Sequence, residues 1–243
     1  MQSAAALAAR IVSENDLRSE SAEVVQHSLA HIEKFYATKK ALNFRGDIID
    51  VTKSPVPQAS GRALLRTAIA HKVERTLEVG FSFGMSTCHI LTAHEVTGGS
   101  EHIAIDPFQM SKYYQGTGLI NVTHSGLLSR LTWVKELSNI ALPRMFAHGE
   151  KFDLCFVDGS HIFTDIFVDA YFCMQLLPMG GQLILDDCWL PAVRTVRNIL
   201  VTNCGFSEEA DPSAPNLAIL TRSGPGRLDW TDFEQQWTPF QVG

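Results

Sequence analysis

The chain has 243 residues, enough for one large α/β domain with a substantial buried core, and its 45% hydrophobic and 19% charged residues are the balance of a folded chain rather than a disordered one. A formal net charge of −6 argues against a nucleic-acid partner, because phosphate binding needs a basic patch. No run reaches the roughly 18 apolar residues of a membrane span. The N-terminal residues lack a basic segment followed by an apolar core, so no signal peptide is read there and a cytoplasmic location is expected. The five cysteines (Cys88, Cys155, Cys173, Cys188 and Cys204) form neither a CxxC pair nor a zinc-type cluster, and Cys155 and Cys173 lie in apolar runs. Reduced thiols are expected.

In chain order, residues 3–42 read as helix, alanine-rich at first and then with apolar residues recurring at three and four. Pro55, Pro57 and Gly61 break that pattern, and a short amphipathic helix follows from Ala63. Strand and helix then alternate. RTLEVG from Arg75 is a buried strand and STCHILTAHE a helix. HIAIDP from His102 is a strand, SGLLSRL a polar-faced helix, and LTWVKEL a strand followed by a helix around Ile140 to His148. FDLCFVDG from Phe152 is a strand, IFTDIFVDAYFCMQLL a helix, GGQLILDD from Gly180 a strand and PAVRTVRNIL a helix. LAILTR from Leu217 reads as one more strand, antiparallel at an edge. The tail from Gly224, with Trp230, Phe233 and Trp237, is expected to cap the sheet or meet a partner.

This alternation predicts an α/β fold: a Rossmann-like, mostly parallel sheet of about seven strands with helices on both faces and an N-terminal helical lid. The expected division is a helical cap over 1–60 and the sheet domain over 61–243. The amphipathic N-terminal helix and the exposed aromatics are compatible with a homodimer.

In open α/β sheets a ligand sits at the carboxyl ends of the strands, where strand order reverses. The first long strand ends in Glu78-Val79-Gly80-Phe81-Ser82-Phe83-Gly84-Met85-Ser86-Thr87. Glycines there let the backbone approach a ligand, and Ser86 and Thr87 stand at a helix N-terminus able to hold a carboxylate. The dinucleotide pattern G-x-G-x-x-G is not met, which speaks against an NAD(P)-binding oxidoreductase. A glycine-poor turn preceded by Glu suits a cofactor without a pyrophosphate. The next strand ends at Asp106, placed to accept both hydroxyls of a ribose.

With these features the segment resembles the class I S-adenosylmethionine-dependent methyltransferases, and LTWVKELSN followed by Pro143 is similar to the catechol-type O-methyltransferases. The resemblance runs from about Gly61 to Arg222. It implies S-adenosylmethionine as cofactor, with Glu78, Gly80, Phe81, Gly84 and Ser86 around the methionine moiety and Asp106 on the ribose. Ser138 and Asn139 would border the adenine, and Asp158 would also touch the cofactor. Glu136 departs from the glycine common at that place.

The fourth strand ends Asp158-Gly159-Ser160-His161 and the fifth ends Asp186-Asp187. Three carboxylates crowded on one rim repel one another unless a cation or protons intervene, and oxygen ligands suit Mg²⁺. Asp158, Asp186 and Asp187 also match the acids that hold the ion in metal-dependent O-methyltransferases and in cephalosporin-hydroxylase-like relatives. His161 falls where the catechol-type enzymes place a lysine base, and a histidine can take a hydroxyl proton at neutral pH. Asp158 and His161 are thus the expected catalytic pair. The resemblance implies methyl transfer to a hydroxyl of a small molecule. The alternatives are a metal-independent N- or carboxyl-methyltransferase and, less consistent with the motif, the NAD(P)-binding oxidoreductase.

Overall fold

The structure is a computed structural model describing residues 3–51 and 55–226; the aromatic tail with Trp230, Phe233 and Trp237 lies outside the described residues. Two N-terminal helices, α1 (Ala4–Glu14) and α2 (Ser19–Thr38), precede a hairpin of β1 (Lys40–Leu42) and β2 (Ile48–Asp50). The remaining elements are α3 (Gln58–Ala70), β3 (Arg75–Val79), α4 (Met85–Thr97), β4 (Glu101–Ile105), α5 (Thr117–His124), β5 (Leu131–Val134), α6 (Ser138–Ala147) and β6 (Leu154–Val157). They end with α7 (Phe163–Leu176), β7 (Gln182–Leu185), α8 (Pro191–Asn203), β8 (Phe206–Glu209) and β9 (Ala218–Arg222).

The main sheet has seven strands in the order β5-β4-β3-β6-β7-β9-β8. β3 to β7 are parallel, and β9 runs antiparallel between β7 and β8. The chain winds outward from β3 through β4 to β5, then returns to place β6 on the other side of β3. Strand order therefore reverses between β3 and β6, and the tips there are Gly80 and Asp158.

Alternation along the strands divides the core. Ala104, Leu154, Phe156 and Ile184 face a cluster with α1, α2, α3 and α4, whereas Leu77, Ile103, Cys155, Val157 and Leu183 face α6, α7 and α8. Helix α4 is buried on every side from Met85 to His94, wedged between the sheet and α2 and α3. Thr92 donates to the Cys88 carbonyl at 2.6 Å and shares a 2.7 Å hydrogen bond with Ser28 of α2.

Three expectations need correction. The single N-terminal helix is two, broken where Asp16 takes a left-handed φ of 47°. The helix expected over Ser125–Leu131 lies one segment earlier, at α5, with only a 3-10 turn at Leu128–Arg130. The edge strand is β8, in the FSEE segment, so β9 is interior. Residues of α1 and α2 belong to the same buried cluster as α3 and α4, so the expected cap over 1–60 shares one core with the rest of the chain.

Candidate active site

The loop after β3 is shaped by neighbours that leave no room for side chains. Gly80 has φ +93°, and a Cβ there would lie 2.1 Å from the Asp158 carbonyl oxygen. Gly84 caps α4 in the left-handed region, where a Cβ would lie 2.8 Å from the Gly118 oxygen at the start of α5. Ser82 also sits at positive φ, 46°. Phe81 is fully buried, and the rings of Tyr113 and Tyr114 pack against Phe83 at 5.9 and 5.3 Å. The insertion after β4 therefore lies over the loop.

Glu78 is buried completely and points into the α4 side of the sheet. Its carboxylate accepts from the hydroxyls of Ser86 and Thr87 in the first turn of α4. His102 Nε2 approaches it at 3.1 Å, and Thr76 Oγ1 links His102 Nδ1 at 2.8 Å to His94 Nε2 at 2.9 Å. The hydroxyls read as holders of a carboxylate do hold one, and it is the protein's own.

Asp106 is buried at the tip of β4. Its Oδ2 accepts the backbone N–H groups of Phe81 and Ser82, each at 3.1 Å, and the Gln109 amide at 3.3 Å. Oδ1 accepts the Phe108 N–H, at 2.6 Å. A carboxylate offers about four acceptor positions. The group clamps the loop after β3 from the tip of β4.

Ser138 and Asn139 open α6 at the tip of β5, and the Ser138 hydroxyl bonds Asp169 of α7. Glu136, just before them, is held outward by Arg144 at 3.0 and 2.5 Å.

The acidic rim lies across β6 and β7. His161 Nε2 is 2.8 Å from Asp187 Oδ2 and 3.9 Å from Asp158 Oδ1. One ligand atom from each of Asp158, His161 and Asp187 fits within a 4.8 Å span. Burial, and then the charges of Asp186, Asp187 and Glu78, holds the Asp158 carboxyl well above the usual carboxylate range. Burial also pushes Asp186 up to about 6, with Asp187 adding to the shift.

Residues 77–188 match a family model described as a methyltransferase domain. Over that segment the chain is similar to a methyltransferase domain. Solved structures of similar fold include the O-methyltransferase of Bacillus cereus with S-adenosylhomocysteine, at 14% identity and TM-score 0.60 over 79% of this chain and 89% of that one. They also include the O-methyltransferase TomG of Streptomyces achromogenes, involved in tomaymycin synthesis and bound to S-adenosylmethionine, at 16% identity and TM-score 0.59, covering 83% and 90%. A third is the Podospora anserina methyltransferase PaMTH1 with S-adenosylhomocysteine, at 16% and TM-score 0.60, covering 80% and 87%. No curated protein matches the chain in sequence.

Of the three expected metal ligands, two come together with a third side chain from elsewhere. Asp158 and Asp187 converge, but Asp186 does not join them, and His161 takes the third place. Successive residues of a strand point to opposite faces. Asp186 continues the β7 alternation inward, where its Oδ1 is buried without a partner, while a left-handed φ of 55° at Asp187 turns that residue to the rim. His161 was singled out from its position three residues after Asp158; its contact with Asp187 depends on that turn.

Proposed function

We propose that this protein is a methyltransferase that moves the methyl group of S-adenosylmethionine to a hydroxyl oxygen of a small molecule, with a divalent cation at Asp158, His161 and Asp187. The observation that carries the proposal is the meeting of those three side chains at the tips where strand order reverses, beside the Gly80 loop. The donor set fits a hard cation: two carboxylates and an imidazole lie within one ion's reach, and the crowded acids beside them keep their charge only at a cost. A bound cation would fix the acceptor hydroxyl and lower its pKa.

The chain's own residues supply alignment. Phe81, Gly84 and the Glu78-anchored turn of Ser86 would receive the methionine end, Asp106 Oδ1 one ribose hydroxyl, and Ser138 and Asn139 the adenine edge. Asp158 lies between the Gly80 loop and the rim, so it bounds cofactor and acceptor together. His161, exposed beside it, would take the hydroxyl proton and pass it to solvent. Because the sulfonium is a good leaving group, placing oxygen and methyl in line and excluding water is the main requirement.

The test is calorimetric titration with S-adenosylhomocysteine, with and without Mg²⁺, paired with methyl transfer from labelled S-adenosylmethionine to phenols and catechols under chelation. Saturable cofactor binding and chelator-sensitive transfer are expected. Indifference to the cofactor at millimolar levels refutes the reading. Turnover that survives both chelator and Asp158→Asn removes the cation from it and selects metal-independent transfer.

A further inference from the structure

A cavity of about 320 Å³ opens between α2, the β1–β2 hairpin and α5, sharing no lining residue with the rim. Its size is within the range of small-molecule sites. Phe35, Ala41, Leu42 and Ile48 give it an apolar lining, while Lys34 and Lys40 supply positive charge. No carboxylate lines it. Among the described residues neither lysine has an acidic partner within ion-pair distance. Burial, with Lys34 nearby, holds the His31 imidazole below its ordinary range, so the lysines carry the positive charge of the lining. The α5 wall is fixed in advance: Asn121 is buried, and its amide donates to the Phe83 carbonyl at 2.9 Å.

We propose that this cavity is a second binding site, for a small apolar carboxylate whose hydrocarbon part lies among Phe35, Leu42 and Ile48 and whose carboxylate meets Lys34 and Lys40. Apolar lining alone would accept a neutral molecule equally well. The two lysines, neither in an ion pair, and the absence of an acid among the lining residues select the anion. The site does not depend on the reading of the rim.

Octanoate and octan-1-ol are the probes, titrated calorimetrically into the whole protein. Octanoate is expected to bind with a submillimolar Kd, about tenfold tighter than octan-1-ol. The pair Lys34→Ala and Lys40→Ala should weaken octanoate about tenfold and leave octan-1-ol unchanged. Leu42→Trp should fill the space and abolish both; Ile48→Trp, at an exposed position on the cavity edge, serves if that variant does not fold. No heat from either probe up to about 10 mM overturns the site. Equal binding of both probes overturns the carboxylate assignment. Octanoate binding that is undiminished in the tryptophan and lysine variants overturns the location.

Discussion

Gly80→Ala tests the coupling of the cofactor loop to the acidic rim. The methyl group would enter 2.1 Å from the Asp158 carbonyl oxygen and 2.6 Å from its carbon, where only backbone can give way. A left-handed non-glycine residue costs about 1–2 kcal/mol, and forcing atoms into a packed site about 1–3 kcal/mol more. Gly98 is the control: its φ is similar, +79°, but a Cβ there meets nothing within 4 Å. Gly98→Ala should therefore show the conformational cost alone, and the difference between the variants isolates the collision at about 1–3 kcal/mol. Both glycines lose the same unfolded-state freedom, so that contribution cancels. Equilibrium urea unfolding measures the difference, and Gly80→Ala should lower Tm on the order of 10 °C. Because relief requires Asp158 to retreat, binding of S-adenosylhomocysteine and of Mg²⁺ should weaken together. If the two variants agree in stability within about 0.5 kcal/mol, the packing of β3 against the tip of β6 is not as described.

Mg²⁺ or Mn²⁺ at about 100 times Kd should stabilise the wild type by about 2.7 kcal/mol in thermal unfolding, and Asp187→Ala should abolish the shift. An undiminished shift would place the cation elsewhere. Asp169 is 1% exposed, and burial, with Asp165 adding, pushes its carboxyl up to about 6. The native state then holds the proton more tightly than the unfolded chain. That contribution to stability is complete below about pH 4 and is lost as pH rises through 6, about 3 kcal/mol in all. Urea unfolding of Asp169→Asn between pH 4 and 7 should show a shallower decline than wild type; parallel curves would refute this. His102→Leu should cost about 1–3 kcal/mol, since it strips a partner from the buried Glu78 carboxylate and from Thr76. Equal stability of wild type and variant in urea would show that the Glu78–His102–Thr76 chain is not a native interaction.

The sheet was legible because its interior strands are buried on both faces and so read as short apolar runs, LCFV and QLIL among them, separated by helical periods. The hairpin was not, because KAL and IID are too short to show alternation, and neither was α5, whose TGLINVTH has little intrinsic helix preference and is held against the Gly84 turn and α4. At the site, topology alone places strand-end acids on one rim, so Asp106, Asp158 and the Asp186-Asp187 pair could be named from sequence. Their orientations could not. A doublet at a strand end gives one residue to each face, and which one meets Asp158 depends on the next turn, here the left-handed Asp187. That turn also decides the proton's route. It brings Asp187 against His161 Nε2, so a cation held by that nitrogen would prevent the same atom from acting as base. A base role for His161 then falls to Nδ1.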